Sequence, residues 1–259
     1  MSATRLLCVD VGNSQTLLGI FDGDQITHHW RVGTDERRTA DEWAVVFSGL
    51  LGDLADRVDG VALCSTVPSV LHEMREMLLG HYADVHSIVI EPGVRTGVPV
   101  LMDNPREVGT DRICNALAAS RLHPGPCIVV DLGTATTFDV VSARGEYVGG
   151  AIAPGIEISL EALGARGAQL RRVELMRPRS VVAKNTVEAL QSGAVYGFAA
   201  QIDGLVARMV DELGWDLHQV CVIVTGGLAP FALEECRTPL VHEPWLTLIG
   251  LRMVYQRNT

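Results

Sequence analysis

The sequence is short of most features that would mark a membrane protein, a disulfide-stapled protein or a metal-caged one. No apolar run approaches the ~20 residues that a helix needs to cross a bilayer, so no membrane association is expected. The apolar stretch near the start, Leu6-Leu-Cys-Val-Asp10, is too short for a signal peptide, and the expected location is the cytoplasm. The six cysteines contain no Cys-x-x-Cys pair and no regular spacing, and several lie in apolar strand-like runs. They read as reduced core thiols. The eight histidines include no His-Glu-x-x-His or comparable ligand spacing. Basic residues are also scarce, with 21 Lys and Arg against 31 Asp and Glu for a formal net charge of −10. Such a chain repels phosphate backbones, so no nucleic-acid partner is expected. An anionic substrate must then be held by a local positive site, by helix N-termini or by a metal. Neither a Gly-x-x-x-x-Gly-Lys-Ser/Thr loop nor a Gly-x-Gly-x-x-Gly turn occurs, which leaves P-loop and Rossmann nucleotide binding without support.

What is present is 259 residues of ordinary globular composition, 47% hydrophobic and 20% charged, enough for two modest domains or one large α/β domain. The chain also resembles itself. Leu7-Cys-Val-Asp-Val-Gly-Asn-Ser-Gln-Thr-Leu-Leu18 matches Ile128-Val-Val-Asp-Leu-Gly-Thr-Ala-Thr-Thr-Phe-Asp139. Asp10 falls on Asp131, Gly12 on Gly133, Asn13 on Thr134 and Thr16 on Thr137, all at an offset of 121 residues. Each copy predicts an apolar strand, a tight polar turn and a second strand. A hairpin signal follows, Asp22-Gly23-Asp24 or Arg144-Gly145-Glu146, and then a further strand over Ile26–Val32 or Tyr147–Ile152. Val61–Val67 and Val220–Gly227 echo each other as buried strands ending in small polar residues. Helical patterns cover Thr39–Leu54 and Asn185–Leu213. The first opens on the capping box Thr39-Ala-Asp-Glu42 and the second on Asn185-Thr-Val-Glu188. The halves meet near Leu122-His-Pro-Gly-Pro126, which sets the expected domains at 1–122 and 123–259, with the last helix a candidate to return to the first lobe. Duplicated halves would set their Asp-x-Gly turns face to face across a cleft.

A turn such as Asp10-Val-Gly-Asn-Ser-Gln-Thr16 presents several backbone N–H groups in a concave array. Gly12 lets a phosphate approach closely, and Ser14 and Thr16 add hydroxyls. Asp10, at a strand end, can hold Mg2+ directly or through its waters. The mirror turn, Asp131 to Thr137, supplies the same parts, and two such turns suit phosphoryl transfer, which depends on positioning and charge neutralisation. A second carboxylate near the bound phosphates, Asp131, adds repulsion unless a cation offsets it. Val224-Thr-Gly-Gly227 precedes an expected short helix over Leu228–Glu235; its bare glycines suit either an adenosine lying on backbone or a plain strand-to-helix turn. Asn104-Pro-Arg-Glu-Val-Gly-Thr-Asp-Arg112 opens an expected helix over Thr110–Leu122. There Asp111 is either a helix-start anion or a proton acceptor, and Arg112 offers a fork for a substrate carboxylate. In Asn185–Leu213, after a loop over Arg171–Lys184, the run Ala189-Leu, Gly193-Ala-Val and Gly197-Phe-Ala-Ala200 suits close helix packing, either in the core or against a second copy.

Assembled in this order, the residues resemble those of the type III pantothenate kinases, members of the acetate and sugar kinase/Hsp70/actin superfamily. The resemblance covers Asp10–Asn13, Asn104-Pro with Gly109–Arg112, Asp131–Thr134, Gly149–Gly155, Asn185-Thr186 and Thr225–Gly227. It implies an α/β fold of two ribonuclease H-like (actin-like ATPase) lobes, each a mixed sheet flanked by helices, with an interlobe cleft. It implies ATP-dependent phosphorylation of pantothenate to 4′-phosphopantothenate, the first step of coenzyme A biosynthesis, by a homodimer. By the same resemblance Asp10, Val11, Gly12, Asn13, Ser14, Gln15, Thr16 and Leu17 form the first ATP phosphate loop, and Thr134 contacts ATP from the second. Gly109, Thr110, Asp111 and Arg112 line the pantothenate site with Asp111 as proton acceptor. Asp131 holds a monovalent cation, K+ or NH4+, and Thr186 touches pantothenate. The chain departs from the family at Thr110, often Ala, and at Met102, often Tyr, where a hydroxyl contact to substrate is lost. The rival readings are a kinase for another small hydroxylated metabolite and a non-catalytic regulatory relative of the same fold. A sugar or acyl kinase needs a larger second lobe, and a non-catalytic relative is disfavoured by the presence of Asp10, Asp111 and Asp131.

Overall fold

The computed structural model describes residues 5–166 and 173–259. Two compact units emerge. One comprises Met1–Val98, Asp103–Ala118 and Leu246–Thr259, and the other Pro99–Met102 and Ala119–Trp245. In chain order the first elements are β1 (Arg5–Val11), β2 (Gln15–Asp22), β3 (Gln25–Gly33), α1 (Ala40–Leu51), β4 (Gly60–Ser65), α2 (Pro68–His81), β5 (His86–Val89) and α3 (Thr110–Leu122). There follow β6 (Cys127–Leu132), β7 (Ala135–Val141), β8 (Tyr147–Pro154), α4 (Ile156–Arg166), α5 (Thr186–Leu213), β9 (Cys221–Thr225), α6 (Ala229–Leu233), β10 (Val241–His242) and α7 (Leu246–Asn258).

In the first unit the sheet order is β3-β2-β1-β4-β5; β1 to β3 form an antiparallel meander, and β4 and β5 run parallel to β1. The central strands β1 and β4 are almost continuously apolar, as strands covered on both faces must be. Trp43, Phe47 and Leu51 of α1 and Val70, Met74 and Met77 of α2 pack with Leu7, Val9, Leu18, Ile20, Val61 and Leu63. Each such side chain contributes roughly 1.5–3 kcal/mol by leaving water. The expected capping box is formed, with the Glu42 amide donating to Thr39 Oγ1 and the Thr39 amide to Glu42 Oε2. The helix stops at Leu51 rather than at Leu54, because Gly52 turns to φ 52° and a 3-10 turn over Gly52–Arg57 follows. α7 packs against β1 and β4, and Gly60 is required there, since a Cβ would overlap the Tyr255 ring.

In the second unit the order is β10-β9-β6-β7-β8, with β6 to β8 antiparallel and β9 and β10 parallel to β6. Strand for strand this repeats the first unit, and Asp10 and Asp131 lie in separate sheets, as duplication requires. Both units are mixed sheets flanked by helices, the ribonuclease H-like plan. The paired echo of Val61–Val67 and Val220–Gly227 corresponds to β4 and β9, which hold the same place beside β1 and β6. α5 is capped by Asn185, whose Oδ1 accepts from the Glu188 amide at 2.9 Å, and it ends at Gly214 in the left-handed region. Its Ala194, Val195, Ala199, Ile202, Val206 and Val210 are buried, while Gly193, Gly197 and Gly204 look into open space. Of the expected loop over Arg171–Lys184, Arg171 and Arg172 lie outside the described residues.

The register corrects one detail of the repeat. Val11 pairs with Thr16, whereas Leu132 pairs with Thr136, so the second turn is one residue shorter and Thr16 corresponds to Thr136, not Thr137. Thr16 and Thr136 are both buried, and Thr137 points to the opposite face of its strand.

Candidate functional site

Each Asp-x-Gly turn sits at the end of the strand central to its sheet. In the first unit β1 delivers Asp10, half-buried, to the tip of the β1–β2 hairpin, where the Gly12 amide donates to the Gln15 carbonyl at 3.0 Å. Asn13, Ser14 and Gln15 at the tip of the turn are exposed. Cys64, beside Asp10 on parallel β4, donates its thiol to Asp10 Oδ1 at 3.3 Å. Two threonines that the sequence assigns no role fasten the same turn. The Thr66 amide and hydroxyl donate to the Val11 carbonyl at 3.0 and 3.3 Å, and Thr34 Oγ1 donates to the Gly12 carbonyl at 2.8 Å. Only the cross-strand neighbours reveal these contacts; Thr34 lies in no motif, and Thr66 only at the small polar end of the Val61–Val67 strand.

α3 begins where expected. Gly109 is the residue on which Asp111 Oδ1 folds back, and a Cβ there would collide with that oxygen. Asp111 and Arg112 are half-buried, and Thr110 Oγ1 is buried without a hydrogen-bond partner. The first unit brings Asp10 and Asp111 together around a pair of buried thiols, Cys64 and Cys114. The bond to Cys114, then burial, then the charges of Asp10 and Asp111 push the Cys64 thiol well above its ordinary value. Cys64 is therefore a protonated donor at neutral pH.

In the second unit Asp131 pairs with Thr137 on one side and Thr225 on the other, and the Gly133 amide donates to the Ala135 carbonyl at 3.0 Å. Two glycines press on this turn. Gly226, at φ 93°, would bring a Cβ to 2.6 Å from Asp131 Oδ1, and a Cβ on Gly155 would collide with the carbonyl oxygens of Gly133 and Thr134. Thr136 Oγ1 is fully buried without a hydrogen-bond partner. A carboxylate and two closely packed carbonyls thus belong to one turn, oxygen atoms of the kind a hard cation takes, while Thr136, the cross-strand partner of Leu132, lies on the face opposite Asp131. The Val224–Gly227 segment serves this turn, since the Leu228 amide donates to the Leu132 carbonyl at 3.2 Å. Met102 lies beside β8, its sulfur 3.8 Å from where a Cβ on Gly149 would stand. Thr186 is exposed at the first position of α5. Among the described residues no group of three or more His, Cys, Asp or Glu side chains is arranged to hold a metal alone.

Comparison with known proteins agrees with this geometry. Residues 6–208 match the family model of the type III pantothenate kinases. The chain is 64% identical to a type III pantothenate kinase of Streptomyces avermitilis, with 98% of each chain covered. It is 63% identical to one of Thermobifida fusca, over 98% of this chain and 100% of the other. Among solved structures it is similar to a ROK hexokinase of Thermus thermophilus, with a TM-score of 0.55 at 14% identity over 99% of this chain and 100% of that one. It is also similar to an inorganic polyphosphate/ATP-glucomannokinase of an Arthrobacter species, with a TM-score of 0.54 at 16% identity over 98% and 99% of the two chains. At such identities these two structures bear on the fold alone.

Proposed function

This chain belongs to the type III pantothenate kinase family, and on that premise we propose that it transfers the γ-phosphoryl group of ATP to the primary hydroxyl of pantothenate, the opening step of coenzyme A biosynthesis. The observation that carries the proposal is the recurrence of one Asp-x-Gly hairpin turn at the same place in both sheets, with Asp111 and Asp10 gathered in the first unit. In this reading Asp10–Leu17 wraps the ATP phosphates with backbone amides, and Thr134 adds a contact from the second turn. Gly109–Arg112 receives pantothenate. Arg112 pairs with its carboxylate, Asp111 takes the hydroxyl proton as that oxygen attacks phosphorus, and Thr186 is a further substrate contact.

Mg2+, when bound, neutralises charge on the phosphates. Asp10 is its protein contact, direct or through water, and the lack of an all-protein cage among the described residues fits an ion that arrives largely on ATP. Asp131 is the contact for K+ or NH4+, a role supported by the oxygen-rich turn around it. The duplicated halves run 1–122 and 123–259, with α7 belonging by packing to the first. The family further implies a cytoplasmic homodimer. The stripe of Ala189, Gly193, Gly197, Ala200 and Gly204 along the exposed face of α5 supports a second copy as its partner.

The test is ADP release with pantothenate against a panel of sugars. Release that depends on pantothenate is expected. Release with a sugar instead, or without any acceptor, would overturn the assignment.

A further inference from the structure

We propose that Thr34 is a positioning residue of the ATP phosphate turn, a hydroxyl latch that aims the turn's amides; this rests on the assignment of Asp10–Leu17 as the ATP loop. Thr34 follows β3 and is half-buried. Its hydroxyl donates to the Gly12 carbonyl at 2.8 Å, and its amide donates to the Ser14 carbonyl at 3.0 Å. A threonine hydroxyl has one proton, and Thr34 spends it on Gly12. The 2.9 Å contact between Thr34 and Thr16 must therefore be a donation from Thr16 Oγ1 to Thr34 Oγ1. Thr16 is fully buried, so this leaves its hydroxyl satisfied and fixes the orientation of Thr34.

The consequence follows from peptide geometry. In a planar trans peptide the C=O and the following N–H point in opposite directions. Drawing the Gly12 carbonyl toward Thr34 turns the Asn13 amide away from it, and holding the Ser14 carbonyl does the same for Gln15. The latch thus arranges turn donors on the side opposite β3, in a chain whose net charge of −10 leaves little other attraction for a triphosphate. Pre-orienting these groups lowers the cost of ordering them when the ligand binds.

The second turn is the internal control. There Gly155 holds the place of Thr34, since its amide donates to the Thr134 carbonyl at 3.1 Å as the Thr34 amide does to Ser14. Gly155 has no side chain, its Cβ position is filled by the Gly133 and Thr134 carbonyls, and Thr136, the counterpart of Thr16, has lost its partner. The latch is therefore not a by-product of the fold; it belongs to the first turn.

Thr34→Val keeps the shape and removes the donor, and Thr34→Ser keeps the donor. Calorimetric titration with Mg2+ and ATP, steady-state kinetics in both substrates, and hydrogen exchange of the amides of residues 12–15 in the unliganded protein form the experiment. For Thr34→Val, ATP binding is expected to weaken about tenfold or more. The turn amides should exchange faster, and KM for pantothenate should stay within about twofold. Thr34→Ser should stay within about threefold of the parent for ATP. If Thr34→Val does not accumulate as folded protein, Thr34→Ala is judged by the same criteria. Unchanged ATP binding and exchange in the variant that lacks the hydroxyl, or equal impairment of Thr34→Ser, overturns the latch. A parent protein that binds no ATP overturns the proposed function instead, and the exchange measurement still decides whether Thr34 orders the turn.

Discussion

Cys64 and Asp10 are register partners on parallel strands, and the thiol of one donates to the carboxylate of the other at 3.3 Å. The bond fixes Asp10 Oδ1 at the end of β1. Because contact with Cys114 and burial keep the thiol protonated, the donor persists at neutral pH. Cys64→Ser should preserve the Mg2+ dependence of the reaction, while Cys64→Ala should raise the Mg2+ concentration for half-maximal rate by about threefold to tenfold, the scale of one ordinary hydrogen bond from a weak thiol donor. Titration of rate against Mg2+ at fixed ATP checks this, and identical curves for the two variants would remove the role.

Asp111→Asn separates base from cap. Asn keeps the size and can still serve the start of α3, so stability should change by about 1 kcal/mol or less. Loss of the proton acceptor should lower kcat by ~10²–10⁴, with the low end favoured by a loose phosphoryl transition state. Arg112→Ala should instead raise KM for pantothenate. Kinetics and thermal melts on both variants decide, and Asp111→Asn turning over within about threefold of the parent leaves Asp111 as a cap only.

Asp131→Asn tests the cation. The parent should be active in potassium or ammonium buffers and poorly active in sodium, and the variant should lose most activity and the distinction between these ions. A second readout is thermal stabilisation of the protein by K+ without substrates, expected for the parent and absent in the variant. Equal parent rates in sodium and potassium would count against a site at Asp131.

Gly197→Arg addresses self-association. Gly197 lies on the exposed face of α5 with open space around it, so a protomer accommodates the larger side chain and gains up to about 1 kcal/mol of helix propensity. A helix–helix contact between copies would not accommodate it. Sedimentation should show a dimeric parent and a monomeric variant with an intact melt, and a dimeric variant places the interface elsewhere.

Asp203 makes stability depend on pH. Burial pushes its carboxyl up, but the amides of Arg237 and Thr238 and the Thr238 hydroxyl donate to it at 3.0, 2.9 and 2.7 Å and together hold it below its ordinary value. A depressed folded value means stability that is present above the unfolded value of about 3.9 and is lost as pH falls through the folded one. Asp203→Asn should therefore be less stable than the parent at pH 7, with the difference shrinking below about pH 4. Denaturant unfolding across that range measures it, and a constant difference would show that proton uptake at Asp203 is not responsible.

Much of the fold is legible without coordinates where the signal is local. Thr39 and Glu42 stand at capping-box spacing, Asn185 precedes an apolar-periodic run, and β1 and β6 are continuous apolar runs ending in Asp-x-Gly. Each depends on neighbours within a few residues. α2 and α4 are not legible and α7 is expected only as a last helix without bounds, because their apolar positions merge with those of adjacent strands and loops. The offset of the repeat failed after the turn for a related reason: one residue fewer in a hairpin changes which side of the strand faces the core, and only pairing reports it.

The amino-acid sequence thus determined the duplicated strand–turn–strand units, their caps and the candidate residues Asp10, Asp111 and Asp131, because spacing along the chain encodes them. Tertiary structure alone decided that Thr34, Cys64 and Thr66 fasten Gly12, Asp10 and Val11, and that Gly155, with no hydroxyl to give, packs against the second turn where Thr34 stands at the first. Those partners lie 22 to 55 positions apart in sequence, and strand order and register, not local pattern, bring their donors and acceptors within bonding distance.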